Sequence, residues 1–140
     1  MMLHIVARGR IGRSPEAELV GRYLDRVAWP TRVTELADDG RAGPPTTPGQ
    51  RTVLLDETGD TPGSMAFAAR LGRWRDDGVR EVRFLIGGAD GFDDTARAGA
   101  DWLLSFGRLT WPHMLARAML AEQLWRATSI LAGHPYHREG

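Results

Sequence analysis

Short apolar runs alternate with longer amphipathic segments along this chain. Runs of about five residues that are rich in Val, Ile, Leu and Phe are typical of buried β-strands. Five such runs are predicted to be strands: 3–7 (LHIVA), 32–36, 52–56 (TVLLD), 82–86 (VRFLI) and 102–106. The third strand is expected to end in a turn at residues 57–60.

Helices are predicted between these strands. Ser14 and Pro15 form a typical helix start, with the serine as N-cap and the proline at the first helical position. Four helices are predicted: 15 to about 27, one that begins at Thr61-Pro62, about 93–100, and a long one from 110–112 to about 131. Strands that alternate with helices indicate an α/β fold with a mostly parallel sheet and helices on both faces.

The alternation predicts where a ligand would bind. Ligands of open parallel sheets bind at the carboxyl ends of the strands. Three loops follow strands there, 55–60, 86–91 and 106–111, so we expect them to form one pocket. The 140 residues are expected to form a single domain, 1–140, and the Gly/Pro-rich segment 38–50 is expected to be mobile.

Composition excludes several classes of protein. The chain has 42% hydrophobic and 26% charged residues, no net charge and no cysteine, which excludes a disulfide framework and a thiolate metal site. No apolar run approaches the roughly 20 residues that span a bilayer. The N-terminal MMLHIVARGR does not resemble a signal peptide, so a cytoplasmic protein is expected. All 18 basic residues are arginine, which suits phosphate binding and base stacking.

Two loops are candidates for ligand binding. The sequence LIGGADG at 85–91 lacks the GxGxxG spacing of dinucleotide-binding proteins and the GK[ST] of phosphate loops, which argues against a dehydrogenase. Its glycines either form a tight turn or let the backbone approach a flat ligand. The sequence FGRLTW at 106–111 is unusually apolar for a loop. It either covers the core or holds an apolar ring such as adenine.

The C-terminal third of the chain carries two further features. The final helix is apolar nearly all round, which indicates either a central core helix or contact with a second subunit. The tail HPYHR at 134–138 contains His134 and His137, which could carry protons near neutral pH. A disordered tail is the alternative. A metal site is not expected, because no third ligand is evident.

LIGGADG at 85–91, LTWPHMLARAMLAEQLWRA at 109–127 and HPYHR at 134–138 together resemble the ribosomal RNA large subunit methyltransferase H family, which belongs to the SPOUT class. The resemblance implies methylation of N3 of a pseudouridine in 23S rRNA with S-adenosylmethionine. The substrate would be the large subunit or the assembled ribosome rather than DNA. It also implies a homodimer and a C-terminal deep trefoil knot, which physical rules alone would not predict.

The resemblance also implies functional residues. The cofactor would be bound by Leu55, Gly87, Gly88, Phe106, Gly107, Arg108, Leu109, Thr110 and Trp111. His137 or His134 would act as general base, from either subunit, and Arg138 or Arg117 would stabilise the developing imide anion or bind phosphate. The substrate would contact His113, Arg117 and Tyr136, and no metal is involved.

The chain departs from the family pattern in two places, and two other functions stay open. The segment 38–50 is shorter than in the family, and Trp111 stands where Phe or a smaller apolar residue is common. A SPOUT enzyme acting on another RNA such as tRNA is one alternative. A non-catalytic module that binds the ribosome is the other.

Overall fold

Five parallel strands form one sheet in the computed structural model, which describes residues 1–138. The strands are β1 (Met2–Arg8), β2 (Thr31–Leu36), β3 (Gln50–Asp60), β4 (Glu81–Ile86) and β5 (Trp102–Leu104). Their order across the sheet is β2-β1-β4-β3-β5, and every neighbouring pair is parallel. The five predicted strands are confirmed. Their carboxyl ends share one edge of the sheet.

Four helices connect and follow the strands, as predicted: α1 (Pro15–Leu24), α2 (Ser64–Asp76), α3 (Asp94–Gly99) and α4 (His113–Leu131). Ser14 caps α1, since its Oγ accepts a hydrogen bond from Ala17 N at 3.1 Å. Asp93 caps α3 in the same way, with its Oδ1 2.7 Å from Ala96 N. The helix boundaries differ from the prediction by at most three residues: α1, for example, ends at Leu24, before the predicted 27.

The two faces of the sheet are covered differently. On one face α1, α2 and α4 pack on side chains that include Ile5, Val53 and Phe84, and α4 contacts both other helices. The alternate residues of the same strands, such as Leu54 and Leu85, form a smaller cluster on the second face, with Phe92 and the half-buried Ala96 of α3. Helices on both faces are therefore confirmed.

The turn predicted at 57–60 is a bulge inside β3 rather than its end. Leu55 and Asp60 both pair with Leu104 of β5, so the intervening residues loop out of the sheet. Gly59 permits this return, because a Cβ there would lie 2.6 Å from the backbone carbonyl of Leu103. Asp60 O then accepts a hydrogen bond from Ser105 N at 2.7 Å, which continues the pairing with the residue that follows β5.

The Gly/Pro-rich segment 38–50 crosses the second face of the sheet. The buried guanidinium of Arg83 donates from Nη2 to Pro44 O (3.0 Å), and burial lowers its pKa. The mobility expected for this segment, the single domain and the trefoil knot stay predictions. Within residues 1–138, no helix is long and apolar enough to cross a membrane.

Candidate cofactor pocket

A cavity of about 410 Å³ opens at the carboxyl edge of the sheet, where the three predicted loops meet. This volume is within the range of small-molecule pockets. The loop after the first part of β3 contributes Leu55 to Thr58, the loop after β4 contributes Gly87 to Phe92, and the loop after β5 contributes Phe106, Gly107 and Leu109 to Trp111. The sequence prediction that these loops converge is confirmed.

The loop 106–111 exposes large apolar side chains to solvent. Leu109 is 74% exposed and Trp111 is 40% exposed, although both are large and apolar. Only Phe106 packs against the main core, and it is itself half-buried. The two exposed side chains therefore do not cover the core. They form an apolar rim on the cavity that a flat ring could contact.

The loop after β4 is a tight turn. Gly91 has a φ of +69°, which favours glycine, and its N–H donates to Gly88 O at 3.1 Å. A Cβ at Gly88 would lie 2.8 Å from Asp38 Oδ1 and 2.9 Å from Asp38 O, which excludes it, and one at Gly87 would be tightly packed, 3.3 Å from Gly91 Cα. The tight turn foreseen for this sequence is confirmed, and because the turn also lines the cavity, the approach of its backbone to a flat ligand stays a prediction.

Asp56 and Arg97 form an ion pair in the wall of the cavity. Asp56 Oδ2 lies 2.6 Å from Arg97 Nε, and the carboxylate side chain is 5% exposed. Burial would raise the pKa of Asp56, but hydrogen bonds from Thr58 and Arg97 outweigh it and lower the pKa below its usual value. The carboxylate is therefore ionised at neutral pH. Arg97 balances the charge of Asp56, and the further carboxylates Glu57 and Asp90 give the lining an acidic character that suits a cationic ligand.

The structure brings most of the predicted cofactor residues together. Arg108 is the exception, because it is exposed and is not among the residues that line the cavity. The residues that do line it are Leu55, Gly87, Gly88, Phe106, Gly107, Leu109, Thr110 and Trp111. Sequence reasoning missed Arg97: it lies in the middle of a short helix, and only its partner Asp56 directly follows an apolar run.

His113 and Arg117, one turn apart on α4, have different environments. His113 is half-buried and lines the cavity. Arg117 is 1% exposed; its Nη1 lies 2.6 Å from Glu35 Oε2 and its Nη2 donates to Gly9 O at 3.2 Å. Arg117 thus ties α4 to the ends of β1 and β2. Its guanidinium is not presented to a substrate in this chain.

The tail folds back on the second half of α4 instead of extending into solvent. Tyr136 donates its hydroxyl proton to Glu122 Oε1 (2.9 Å) and its ring packs on Trp125. Burial and the Glu122 carboxylate raise the pKa of Tyr136. Arg126 forms an i,i+4 ion pair with Glu122, at 2.6 Å, and its Nη1 donates to His137 Nδ1 at 3.1 Å. Because Nδ1 accepts this bond, neutral His137 carries its proton on Nε2.

His134 and Arg138 lie on either side of this anchored segment. His134 Nδ1 accepts a hydrogen bond from Tyr136 N at 3.2 Å, and Arg138 is exposed. The cavity reaches α4 only as far as Ala116, whereas the tail contacts Arg126. The tail also contacts Glu122, which is six helical residues from Ala116, so it is held about 9–15 Å along α4 from the cavity of its own chain and lines no part of it. In residues 1–138 no group of three His, Asp or Glu side chains could hold a metal ion.

A second cavity, of about 620 Å³, lies between α1, α4 and the start of α2. Its wall is mostly apolar and includes Leu19, Tyr23, Leu115 and Met119. The segment from Leu104 to Gly107 separates the two cavities and lines both of them. The first cavity is the better candidate for the cofactor, because loops at the strand ends build it. The second is lined mainly by the helices.

A fold of parallel strands with a pocket built from three loops at their carboxyl ends is typical of α/β proteins that bind a small ligand. The family of predicted SPOUT methyltransferases matches residues 1–137, and the chain belongs to that family. It is therefore a methyltransferase.

Curated relatives extend the similarity over the whole chain. The chain is 72% identical to a protein of Rhizorhabdus wittichii and 67% identical to one of Novosphingobium aromaticivorans, in both cases over 100% of each chain. It is 42% identical to a protein of Brucella abortus, over 99% of each chain. All three relatives are named ribosomal RNA large subunit methyltransferase H.

Proposed function

We propose that this chain methylates N3 of a pseudouridine in the 23S rRNA of the large ribosomal subunit, with S-adenosylmethionine as methyl donor. The observation that carries the proposal is the convergence of three loops on one cavity, in a chain that belongs to a methyltransferase family. The names of the full-length relatives supply the substrate. A ribosomal substrate would place the enzyme in the cytoplasm.

The residues of the cavity fit the cofactor. Leu55, Leu109 and Trp111 offer apolar surface for an adenine ring, and the backbone at Gly87, Gly88 and Gly91 can approach its edge because these residues have no side chain. The acidic lining favours a ligand that bears a sulfonium cation. Bound there, S-adenosylmethionine would supply an electrophilic methyl group.

The chain's own residues must then orient the pseudouridine and accept the proton of its N3. Orientation at reacting distance supplies much of the rate, and a general base adds about 10²–10⁴-fold. His113 lies at the cavity and can contact the substrate. His137 is our candidate base, with His134 as the second candidate. Because Arg126 donates to His137 Nδ1, this base must exchange that bond for one to the substrate.

We propose that the tail acts in the pocket of a second subunit. Tyr136 and His137 are held on Glu122 and Arg126, which lie about 9 Å and 15 Å along α4 from Ala116, the last helix residue that lines the cavity of their own chain. The groove lined by Leu115 and Met119 offers an apolar surface for a homodimer, beside the wall shared with the cofactor cavity. In that assembly Tyr136 and Arg138 would contact the RNA. Arg117, which is buried, would fix α4 rather than touch the imide.

Transfer of labelled methyl groups from S-adenosylmethionine to ribosomes that lack the modification tests the function. Label at N3 of a 23S pseudouridine is the expected result. Label on tRNA instead would support a methyltransferase but would refute 23S rRNA as its substrate. Binding to ribosomes without cofactor binding would leave a non-catalytic ribosome-binding module and refute the proposal.

Mixing two inactive variants tests the shared site. His137→Ala is expected to lower turnover while cofactor affinity is unchanged, and Thr110→Trp is expected to fill the cavity. In a one-to-one mixture that exchanges subunits, half of the dimers hold one intact site. Activity should therefore return to about a quarter of the wild-type value. A mixture no more active than its components would refute a site built from two chains.

A further inference from the structure

A strap of residues 37–47 backs the glycine turn of the pocket. It lies outside the cavity and contacts the turn after β4 from behind: Asp38 O and Oδ1 lie 2.9 Å and 2.8 Å from where a Cβ of Gly88 would be. Arg8 holds the first half of the strap, since its guanidinium donates to the carbonyls of Ala37 and Asp39 at 3.0 Å and 3.2 Å. The strap and the turn are therefore in direct contact, with no room for a side chain between them.

Arg41 makes the connecting bonds. Its Nε donates to Asp90 O at 3.0 Å and its Nη2 donates to Phe92 O at 3.1 Å. Its own carbonyl accepts a hydrogen bond from Asp93 N at 3.0 Å. One residue of the strap thus binds the outer side of the turn at three points.

These bonds fix the direction of the peptide groups that line the cavity. The carbonyl of Asp90 and the N–H of Gly91 belong to one planar peptide and point in opposite directions. When Arg41 holds that carbonyl on the outside, the N–H is directed to Gly88 O, which closes the turn at 3.1 Å. The orientation of the turn therefore depends on a guanidinium that does not line the cavity.

We propose that Arg41 is a positioning residue for the cofactor, which acts by holding the turn 87–92 in its binding conformation. This inference rests on the proposed function. It assigns a role to the shortened segment, which the family resemblance left in doubt. Arginine suits the position because its planar fork binds two carbonyls at once, whereas a lysine ammonium is a single point of charge.

The test compares Arg41→Ala, Arg41→Lys and the control Arg73→Ala. Arg73 is exposed on α2, on the other face of the sheet, so its removal changes the net charge equally without touching the strap. Binding of S-adenosylmethionine is measured by calorimetry, and methyl transfer is measured at varied cofactor. Exchange of the amide hydrogens of residues 88–93 is followed without ligand.

Arg41→Ala is expected to weaken cofactor binding about five- to tenfold, since two charge-assisted hydrogen bonds are lost. At saturating cofactor, kcat and the KM for ribosomes should stay near wild type. Amide exchange should accelerate at Gly91 and Asp93 but not in α4. Arg41→Lys should restore part of the affinity, and Arg73→Ala should match wild type.

The outcomes separate this inference from the function on which it rests. If wild type and Arg41→Ala bind the cofactor equally and exchange alike, the role of Arg41 is refuted and the methyltransferase function stands. A loss of kcat with unchanged cofactor affinity also refutes it. If wild type binds no S-adenosylmethionine, the proposed function is refuted, and the role of Arg41 with it.

Discussion

The ion pair between Arg117 and Glu35 allows a quantitative prediction. Arg117 is 1% exposed, whereas the Glu35 side chain is 33% exposed and also accepts a hydrogen bond from Ile11 N at 2.8 Å. Glu35→Gln keeps the shape and an acceptor but removes the negative charge. The buried guanidinium then keeps only neutral acceptors, of which Gly9 O is one.

The loss of stability expected for Glu35→Gln lies between the values for a fully buried and a fully exposed ion pair. Breaking a fully buried pair costs roughly 3–5 kcal/mol, and breaking an exposed one costs about 0–1 kcal/mol. Because solvent reaches Glu35 but not Arg117, we expect Glu35→Gln to lower the free energy of unfolding by about 2 kcal/mol. For a chain of this length that is a decrease of roughly 6–10 °C in Tm. Asp76→Asn is the matched control, since Asp76 pairs with Arg75 at the surface and its side chain is 69% exposed.

The stabilisation by Glu35 should depend on pH, because the pKa of its carboxyl is lower in the folded protein than in the unfolded chain. The hydrogen bond from Arg117 is the largest cause that lowers the pKa of Glu35 below its usual value. A group with a lowered pKa stabilises the fold above its unfolded pKa, about 4.3, and loses that contribution as the pH falls through the folded pKa. The difference between wild type and Glu35→Gln should therefore be full at pH 7 and should shrink below about pH 4.

Urea unfolding of wild type, Glu35→Gln and Asp76→Asn at pH 7 and at acidic pH is the assay. Other carboxylates titrate in all three proteins, so the difference between them isolates Glu35. If Glu35→Gln is no less stable than Asp76→Asn at pH 7, the surrounding water compensates for the lost charge and the argument from burial is wrong. A difference that does not depend on pH would show that it arises from something other than the charge.

Two further predictions concern backbone and pocket. Gly59→Ala should unfold the protein or destabilise it by more than about 3 kcal/mol, because the new Cβ would lie 2.6 Å from the backbone of Leu103. Gly21→Ala is the control: Gly21 is within α1 and a Cβ there meets no other atom, so this change should stabilise the protein by about 0.5–1 kcal/mol. Thermal unfolding measures both. Equal effects would contradict the proposed close approach of β3 and β5. Trp111 is the tryptophan among the residues that line the cofactor cavity, so Trp111→Phe should remove most of the change in fluorescence that S-adenosylmethionine causes in wild type. An unchanged response would place the cofactor elsewhere.

The strands and the helix starts could be predicted because their causes are local. Apolar runs such as 82–86 mark buried strands whatever their neighbours are, and Ser14 and Pro15 determine a helix start within one turn. The pocket could be predicted as a set of loops, because the carboxyl ends of parallel strands always share an edge. Trp111 was predicted in the pocket on this basis together with the family resemblance, and it lines the cavity.

The features that could not be predicted depend on contacts between distant residues. Arg117 resembles any polar residue on a helix until Glu35, 82 positions earlier, is placed beside it. Arg41 stands in a segment without periodicity, and its partners in the turn after β4 are about 50 residues away. A sequence pattern reports the periodicity of one element, but a side chain that bonds a distant carbonyl leaves no such period.

The position of the tail along α4 favours the second chain that we propose for its function. The 19 residues of this helix span about 28 Å, with the cofactor cavity at the start and the tail anchored on its second half. Five extended residues reach about 17 Å at most. The tail could therefore approach its own cavity only by giving up the bonds of Tyr136 to Glu122 and of His137 to Arg126. A second copy removes the conflict for Tyr136, which can stay bound to Glu122 of its own helix while only His137 exchanges its bond to Arg126 for one to the substrate.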